Sequence, residues 1–507
     1  MKSLSPKKVL LSIVSGVLLS AAFPPGGMEW IVWFGLIPLL FSIQDETRSN
    51  AFKLGMIAGM AHYLTLIYWI IVVLHTYGGL SYIISVSALI LLSLYLSAYF
   101  GLFSILIHYF REFRLRVLPA GCIWVFLEYV RGQFLTGFPW CLLGHSQFEQ
   151  TGLIQVADTI GVYGITFLIV VVNSLIYHLF MNHRLVFRHR WLLWEAAIVV
   201  FMVVMVTAYG RIRLQGPLIS GEDHFPIRIA VVQGNIDQSL KWDKAFQART
   251  IDRYRALTRS TYDFRPELIV WPETSVPLFF QNKTALSDEV VEIGREAQAS
   301  LVFGSPAYEK NTHGTRYYNR AYLLSPDGDV TDYYDKVHLV PFGEYVPLRR
   351  LFPFINRLVQ AAGDFTAGRA KRPLQYRSLS AGVLVCFEGI FPELSRAQVK
   401  NGATSLVNIT NDAWYGMTSA PYQLLMMSAF RAVENRRWLI RSANTGISAF
   451  VDPYGRIVKR TSLFTEAVLT QTISPVSGFT FYTRYGDVFV YIILVICLML
   501  FISRRIK

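Results

Sequence analysis

The chain is 507 residues long, 53% apolar, 14% aromatic and only 16% charged. An average soluble domain carries about 25% charged residues, so this composition excludes a disordered chain, a collagenous chain and an ordinary soluble enzyme, and the length implies two to four domains. A formal net charge of +14 is compatible with nucleic acid as a partner, but beside this apolar excess it points to a membrane.

Apolar runs crowd the first 213 residues, near 9–23, 29–43, 52–74, 80–109, 117–136, 160–181 and 191–212, and one more lies near 487–503. A helix needs about 20 apolar residues to cross a bilayer, so the expectation is about eight spans, the first two short around Pro24-Pro25-Gly26-Gly27. The start also has the basic-then-apolar pattern of a signal peptide, but with further spans following at once it reads as a retained helix.

Lys2, Lys7 and Lys8, then Arg48 and Lys53, Arg111, Arg114 and Arg116, Arg184, Arg188 and Arg190, and finally Arg504, Arg505 and Lys507 occupy alternate connections; loops 24–29, 75–79 and 137–151 contain no Lys or Arg. Positive charge stays on the cytoplasmic side, so both termini are expected there and the long segment 214–486 on the opposite, periplasmic side of a bacterial inner membrane. Glu128 and Arg131, three apart on one helix face, are either a structural ion pair or a site where Arg131 meets a lipid phosphate. The segment from Thr136 to Phe148, rich in Gly and aromatic residues, is placed at the outer membrane boundary.

From residue 214 the pattern changes to short β-branched runs alternating with amphipathic segments. Strands are expected at 227–235, 267–273, 300–308, 319–325, 381–388, 404–411 and 438–451, and helices at 244–260, 285–298, 392–401 and 420–435. The division is thus 1–213 helical and membrane-embedded, 214–486 an α/β domain, and 487–507 a last span with a basic tail.

Chemistry in α/β folds gathers at strand ends. Glu273 ends a strand in Trp271-Pro272-Glu273; Lys336 precedes Pro341-Phe342-Gly343-Glu344; Cys386 ends an apolar strand before Phe387-Glu388-Gly389. A thiol attacks as thiolate, a carboxylate can take its proton, and a lysine ammonium favours the thiolate and stabilises a tetrahedral oxyanion. The backbone N–H of Phe387 is a second oxyanion donor. Glu344, eight residues beyond Lys336, either holds the lysine or assists proton transfer.

These motifs, with Asn408-Ile409-Thr410-Asn411-Asp412-Ala413-Trp414 and Arg431-Ala432-Val433-Glu434-Asn435, resemble those of the nitrilase (carbon–nitrogen hydrolase) superfamily, and with the flanking spans the whole chain is similar to its membrane-bound lipoprotein N-acylating family. The resemblance implies an αββα sandwich, with Glu273 as base, Lys336 as oxyanion stabiliser and Cys386 as nucleophile. Glu344 and Glu388 would support them in exchangeable roles, Trp414 and Asn319 would line the site, and Gly144 would mark the membrane loop beneath it. Phe387 and His145 stand where Tyr is frequent, which bears on substrate contacts and leaves the triad intact.

The implied reaction is ping-pong acyl transfer: a phospholipid acylates Cys386, lysophospholipid leaves, and the α-amine of an S-diacylglyceryl-cysteine lipoprotein takes the acyl group. No cofactor, metal or nucleic acid is expected, and the protein is expected to be a monomer. The segment 348–359 (LRRLFPFINRLV) is either a core helix or an interfacial arm acting as a mobile lid. The alternatives to acyl transfer are a membrane-tethered amidase cleaving a small C–N bond and a non-enzymatic transporter or scaffold.

Overall fold

Neighbouring residues of one strand serve two different cores, and this sets the architecture of the region that carries the strand motifs. In the computed structural model, Ile227, Ile229 and Val231 point into one apolar cluster while Ala230 and Val232 point into another. That is the period-two alternation of a strand buried on both faces. The structure describes residues 4–111, 113, 115–182, 190–216, 225–312, 314–345, 365–369, 372–377 and 379–505. The chain divides into two compact units: residues 1–71, 81–216 and 485–507 form one, and residues 72–80 with 217–484 form the other.

The second unit contains two six-stranded sheets. The strands are β1 (Ile227–Gln233), β2 (Leu268–Val270), β3 (Ser300–Asn311), β4 (Gly314–Leu324), β5 (Val330–Asp335), β6 (Leu374–Tyr376), β7 (Leu379–Val385), β8 (Ser405–Thr410), β9 (Leu439–Ala443), β10 (Ala449–Val451), β11 (Ile457–Arg460) and β12 (Ala467–Ile473). One sheet runs β12-β1-β2-β3-β4-β5 and the other β11-β10-β9-β8-β7-β6. The centres, β1-β2-β3 and β7-β8-β9, are parallel, and the flanks are antiparallel.

Val231, Val270, Val383, Val407 and Ile440 fill the layer between the sheets. The outer face of the first sheet is covered by helices Lys244–Arg259 and Ala285–Ala297, with Ile251, Val290 and Ile293 packed on Leu301 and Phe303. The outer face of the second is covered by Pro392–Lys400 and Ala420–Asn435. This is the expected αββα sandwich. The strands read from sequence are all present, but β5, β6, β11 and β12 were not anticipated. The 438–451 run is two antiparallel strands, β9 and β10, and 381–388 ends as a strand at Val385, because Cys386–Ile390 turns into a short 3₁₀ segment.

In the first unit, every run read as a span contains helix, from Pro6–Ala21 to Val488–Arg505. Among the described residues, three helices are long and apolar enough to cross a membrane: Tyr82–Phe110, Ala157–Met181 and Arg190–Gln215. The expected 52–74 span is shorter than read: its helix, Arg48–Leu66, ends at Leu66, and Val72–Leu80 groups with the second unit. Helices Arg48–Leu66 and Tyr82–Phe110 lie together through small residues. A Cβ on Gly59 would lie 2.7 Å from Ser97 Cα, so glycine is what permits this approach.

Candidate active site

The end of β2 and the turn after it carry Glu273, and the chain then takes a left-handed step at Thr274 (φ 50°). Lys336 follows β5 directly and is 1% exposed. Glu344 sits in the tight turn closed by the Pro341–Tyr345 bridge. Lys336 Nζ lies 2.9 Å from Glu344 Oε2 and 3.8 Å from Glu273 Oε1. Asn319, on β4, clamps the two carboxylates together: its Nδ2 donates to Glu273 Oε1 at 2.7 Å and to Glu344 Oε1 at 2.9 Å. The second Glu273 oxygen accepts the Asn411 backbone N–H at 2.8 Å. Three segments distant in sequence, carrying Asn319, Lys336 and Asn411, therefore fix the orientation of the Glu273 carboxylate.

Cys386 directly follows β7 and takes a left-handed conformation (φ 55°), uncommon for a residue with a side chain. Such strain persists where the surroundings impose it, often at a functional group. The surroundings here are explicit. Asn408 Nδ2 donates to the carbonyls of Leu384 (2.9 Å) and Cys386 (3.3 Å), and Arg441 fixes Asn408 while pairing with Asp412 at 2.8 Å. Burial pushes the Cys386 thiol up to about 12; the Glu273 charge adds to this, and the Lys336 ammonium and the Thr410 hydroxyl oppose it. Burial pulls the Lys336 amine down, but Glu344 and Glu273 override it and hold the ammonium well above its usual range. Burial thus favours the neutral form of the thiol, and the two carboxylates favour the charged form of the lysine.

The two supporting glutamates, interchangeable on the sequence alone, do different things. Glu344 touches Lys336. Glu388, fully buried, touches backbone: Oε1 accepts the N–H groups of Val337 (2.7 Å) and His338 (2.9 Å), and Oε2 accepts that of Val385 (2.7 Å). It ties the segment after Lys336 to the strand end before Cys386, so it sets the distance between them. Burial pushes its carboxyl up to about 7, against the pull of those N–H donors.

The remaining sequence candidates are placed as follows. The Phe387 ring, 6% exposed, packs edge-on against Phe391 at 5.0 Å. Trp414 is half-buried in the turn Asp412–Tyr415, its ring 6.2 Å from that of Tyr77. Gly144 belongs to the first unit, in the turn Leu143–Gln147; its N–H donates to Thr166 Oγ1 at 2.9 Å, and a Cβ there would lie 2.4 Å from the Val162 carbonyl oxygen. Its lack of a side chain is explained by that approach. The 348–359 segment read as a lid lies outside the described residues. Among the described residues, no group of three His, Cys, Asp or Glu side chains is disposed to hold a metal ion.

Sequence reading missed Lys241 and Tyr415. Lys241 is 1% exposed, and its Nζ lies 3.3 Å from the Glu273 carbonyl oxygen. Burial lowers its amine to about 8, while the Glu273 and Cys386 charges oppose the fall. Tyr415 is buried with its phenol raised by burial and by the Cys386, Asp412 and Glu273 charges. In Ser239-Leu240-Lys241-Trp242 nothing distinguishes the lysine from a surface charge. The cluster holds two carboxylates, two ammonium groups and one thiol. Moving the thiol proton to Glu273 keeps its net charge unchanged, which suits a buried site.

Residues 15–175 match the family model described as the apolipoprotein N-acyltransferase N-terminal domain, and residues 228–478 match that of carbon-nitrogen hydrolase. The chain is 43% identical over 482 residues to the apolipoprotein N-acyltransferase of Geobacter metallireducens, covering 95% of this chain and 92% of that one. It is 34% identical over 499 residues to that of Methylococcus capsulatus, covering 95% and 93%. Among solved structures, an amidase from Nesterenkonia sp. aligns with 54% of this chain and 98% of its own at 22% identity and a TM-score of 0.39. A carbon-nitrogen hydrolase from Helicobacter pylori covers 54% and 94% at 17% identity and a TM-score of 0.39.

Proposed function

The chain belongs to the apolipoprotein N-acyltransferase family, and from that premise we propose that it N-acylates bacterial lipoproteins by ping-pong transfer through a thioester on Cys386. The observation that carries this reading is that the likeness runs through 95% of the chain, helical unit included, so the catalytic chemistry comes with the part that meets lipid.

In the first half-reaction Glu273 takes the Cys386 proton as Sγ attacks the ester carbonyl of a phospholipid. The oxyanion forms against Lys336 Nζ and the Phe387 backbone N–H. The carbon–oxygen bond breaks, the glycerol oxygen receives the proton from Glu273, and lysophospholipid leaves. In the second, the free α-amine of an S-diacylglyceryl-cysteine attacks the thioester, Glu273 takes one amine proton, the carbon–sulfur bond breaks, and the sulfur recovers a proton. Glu344 and Asn319 orient Lys336 and Glu273, Glu388 holds the lysine and cysteine segments at fixed spacing, and Trp414 lines the approach. Neither half-reaction calls on a metal or cofactor.

The same reading has about eight spans, with both termini cytoplasmic and the sandwich periplasmic in an inner membrane. Its support is the alternation of Lys and Arg among the short connections and the helix in each apolar run. Gly144 lies on the periplasmic side in this arrangement, and the protein acts as a monomer.

The test is to incubate the full chain in detergent with a diacyl phospholipid and an S-diacylglyceryl-cysteine peptide. N-acylated peptide and lysophospholipid should appear in equal amounts, and neither with Cys386→Ala. Release of free fatty acid without acylated peptide would replace this reading with the amidase-like hydrolase.

A further inference from the structure

The helical unit contains a cavity that the acyl-transfer chemistry does not use. It has a volume of about 380 Å³, against the roughly 10–15 Å³ that a single water requires. Its wall mixes apolar side chains such as Leu40, Ile43 and Ile107 with Arg111, Arg116 and Asp45. A lining of this kind, part hydrocarbon and part charge, is what a molecule with an apolar body and an ionic head requires.

The charges on the wall are not used up by the protein. Neither the Arg111 nor the Arg116 guanidinium forms an ion pair with a carboxylate of the described residues. Arg116 Nε donates to the Phe113 carbonyl at 3.1 Å, and its terminal nitrogens have no protein acceptor among the described residues. Arg111 Nη1 lies 3.0 Å from His108 Nε2, a nitrogen already engaged 2.7 Å from the Glu46 carbonyl oxygen. The contrast with a neighbouring cation is direct: Lys8 Nζ is paired with Glu46 Oε1 at 2.8 Å and bonded to the Gln44 carbonyl at 2.7 Å. Nor is the nearby start of helix Val117–Gln133 free for an anion, because the Glu195 carboxylate accepts the N–H groups of Arg116, Val117 and Leu118 there. Among the described wall residues two guanidinium groups stand against one carboxylate, that of Asp45, an excess of positive charge that suits a phosphodiester.

We infer that this cavity is a binding site for the headgroup of a membrane glycerophospholipid, with Arg111 and Arg116 holding the phosphate and the apolar wall receiving the glycerol and first acyl carbons. The guanidinium fork suits phosphate oxygens, and basic pockets between membrane helices on the cytoplasmic side recognise lipid heads. The site is separate in sequence and in unit from Glu273, Lys336 and Cys386. Its cytoplasmic position rests on the orientation proposed above; the phosphate chemistry does not.

The experiment uses the full chain with Cys386→Ala and a dialkyl ether phosphatidylglycerol, which has no ester to donate, and reads bound lipid by native mass spectrometry. Two lipids should be retained, one in the proposed donor site and one here, and R111Q/R116Q should weaken the binding of the second at least tenfold. Inorganic phosphate at the same concentration should not displace it. The same double variant on the Cys386 background should keep its melting temperature and its N-acylation rate with saturating ester donor. Unchanged lipid retention in the double variant overturns the site. Displacement by inorganic phosphate overturns the lipid assignment in favour of a free-phosphate site. A fall in melting temperature together with lost retention assigns the arginines a structural role instead.

Discussion

In the helical unit, Glu128 and Arg131 stand one turn apart and are buried, yet their closest approach is 4.0 Å. Each is satisfied elsewhere: Glu128 accepts the Leu143 N–H at 2.9 Å and the Thr166 hydroxyl at 3.0 Å, and Arg131 Nη1 donates to the Tyr63 hydroxyl at 2.6 Å. In the sandwich unit, Lys336 instead stands between two carboxylates that one amide clamps together, with a thiol as neighbour. Both regions bury ionic groups. The first spends them on fixing its own turns, whereas the second gathers two carboxylates around Lys336 beside a thiol, with the Lys241 ammonium close by. The difference teaches that burial of charge does not by itself mark a candidate reactive site; a carboxylate, an ammonium and a thiol held together do.

That comparison breaks most visibly at Lys336. Lys336→Met takes away the cation between the Glu273 and Glu344 carboxylates and, on the proposed mechanism, an oxyanion donor, so kcat/KM should fall about 10³-fold or more. Steady-state N-acylation of the diacylglyceryl peptide measures it.

The second effect concerns stability and its pH dependence. Lys241 has a folded-state pKa near 8, below the ordinary lysine value of 10.5. Between these pH values the folded chain has shed a proton that the unfolded chain keeps. Stability should therefore rise through pH 8 to 10.5 by about 3 kcal/mol in all, and the charged lysine costs about that much at pH 7. Thermal melting of wild type and Lys241→Met across this window should show the rise in wild type only.

Glu273→Gln sharpens the comparison because two readouts should move in opposite directions. The Glu273 charge helps push the thiol up to about 12. Its removal should lower the thiol pKa and speed alkylation of Cys386 by iodoacetamide at pH 9, while loss of the base slows acyl transfer about a hundredfold. If both rates fell together, Glu273 would be a structural residue. The smallest effect belongs to the helical unit: Glu128→Gln should lower stability by about 2 kcal/mol in a detergent melt while leaving the alkylation rate of Cys386 unchanged.

The sandwich was legible in the sequence where its strands are buried on both faces. β1, β2, β7 and β8 are rich in buried apolar residues, and each appears within a few residues of its expected place. The strands not anticipated lie at or beside the sheet edges. β5 and β11 are largely exposed, as Thr-Asp-Tyr-Tyr and Ile-Val-Lys-Arg indicate, and such composition gives no apolar period to read. Glu273, Lys336 and Cys386 could be singled out because Glu273 and Cys386 end strands and all three stand in motifs that resemble the nitrilase superfamily. Lys241 and Tyr415 could not, because their part in the site depends on loops from different strands converging. The separate tasks of Glu344 and Glu388 are likewise a matter of which atoms each oxygen meets, and spacing along the chain does not encode that.

The account's central claim is that Cys386 carries the acyl group between two lipids. Its most direct test is the intact mass of the full chain after incubation with a diacyl phospholipid and no acceptor, for wild type and Cys386→Ala. The account predicts one fatty-acyl increment on wild type alone, discharged when a diacylglyceryl-cysteine peptide is added. An N-acylated peptide formed without any increment on the protein, or an increment that persists in Cys386→Ala, would contradict it.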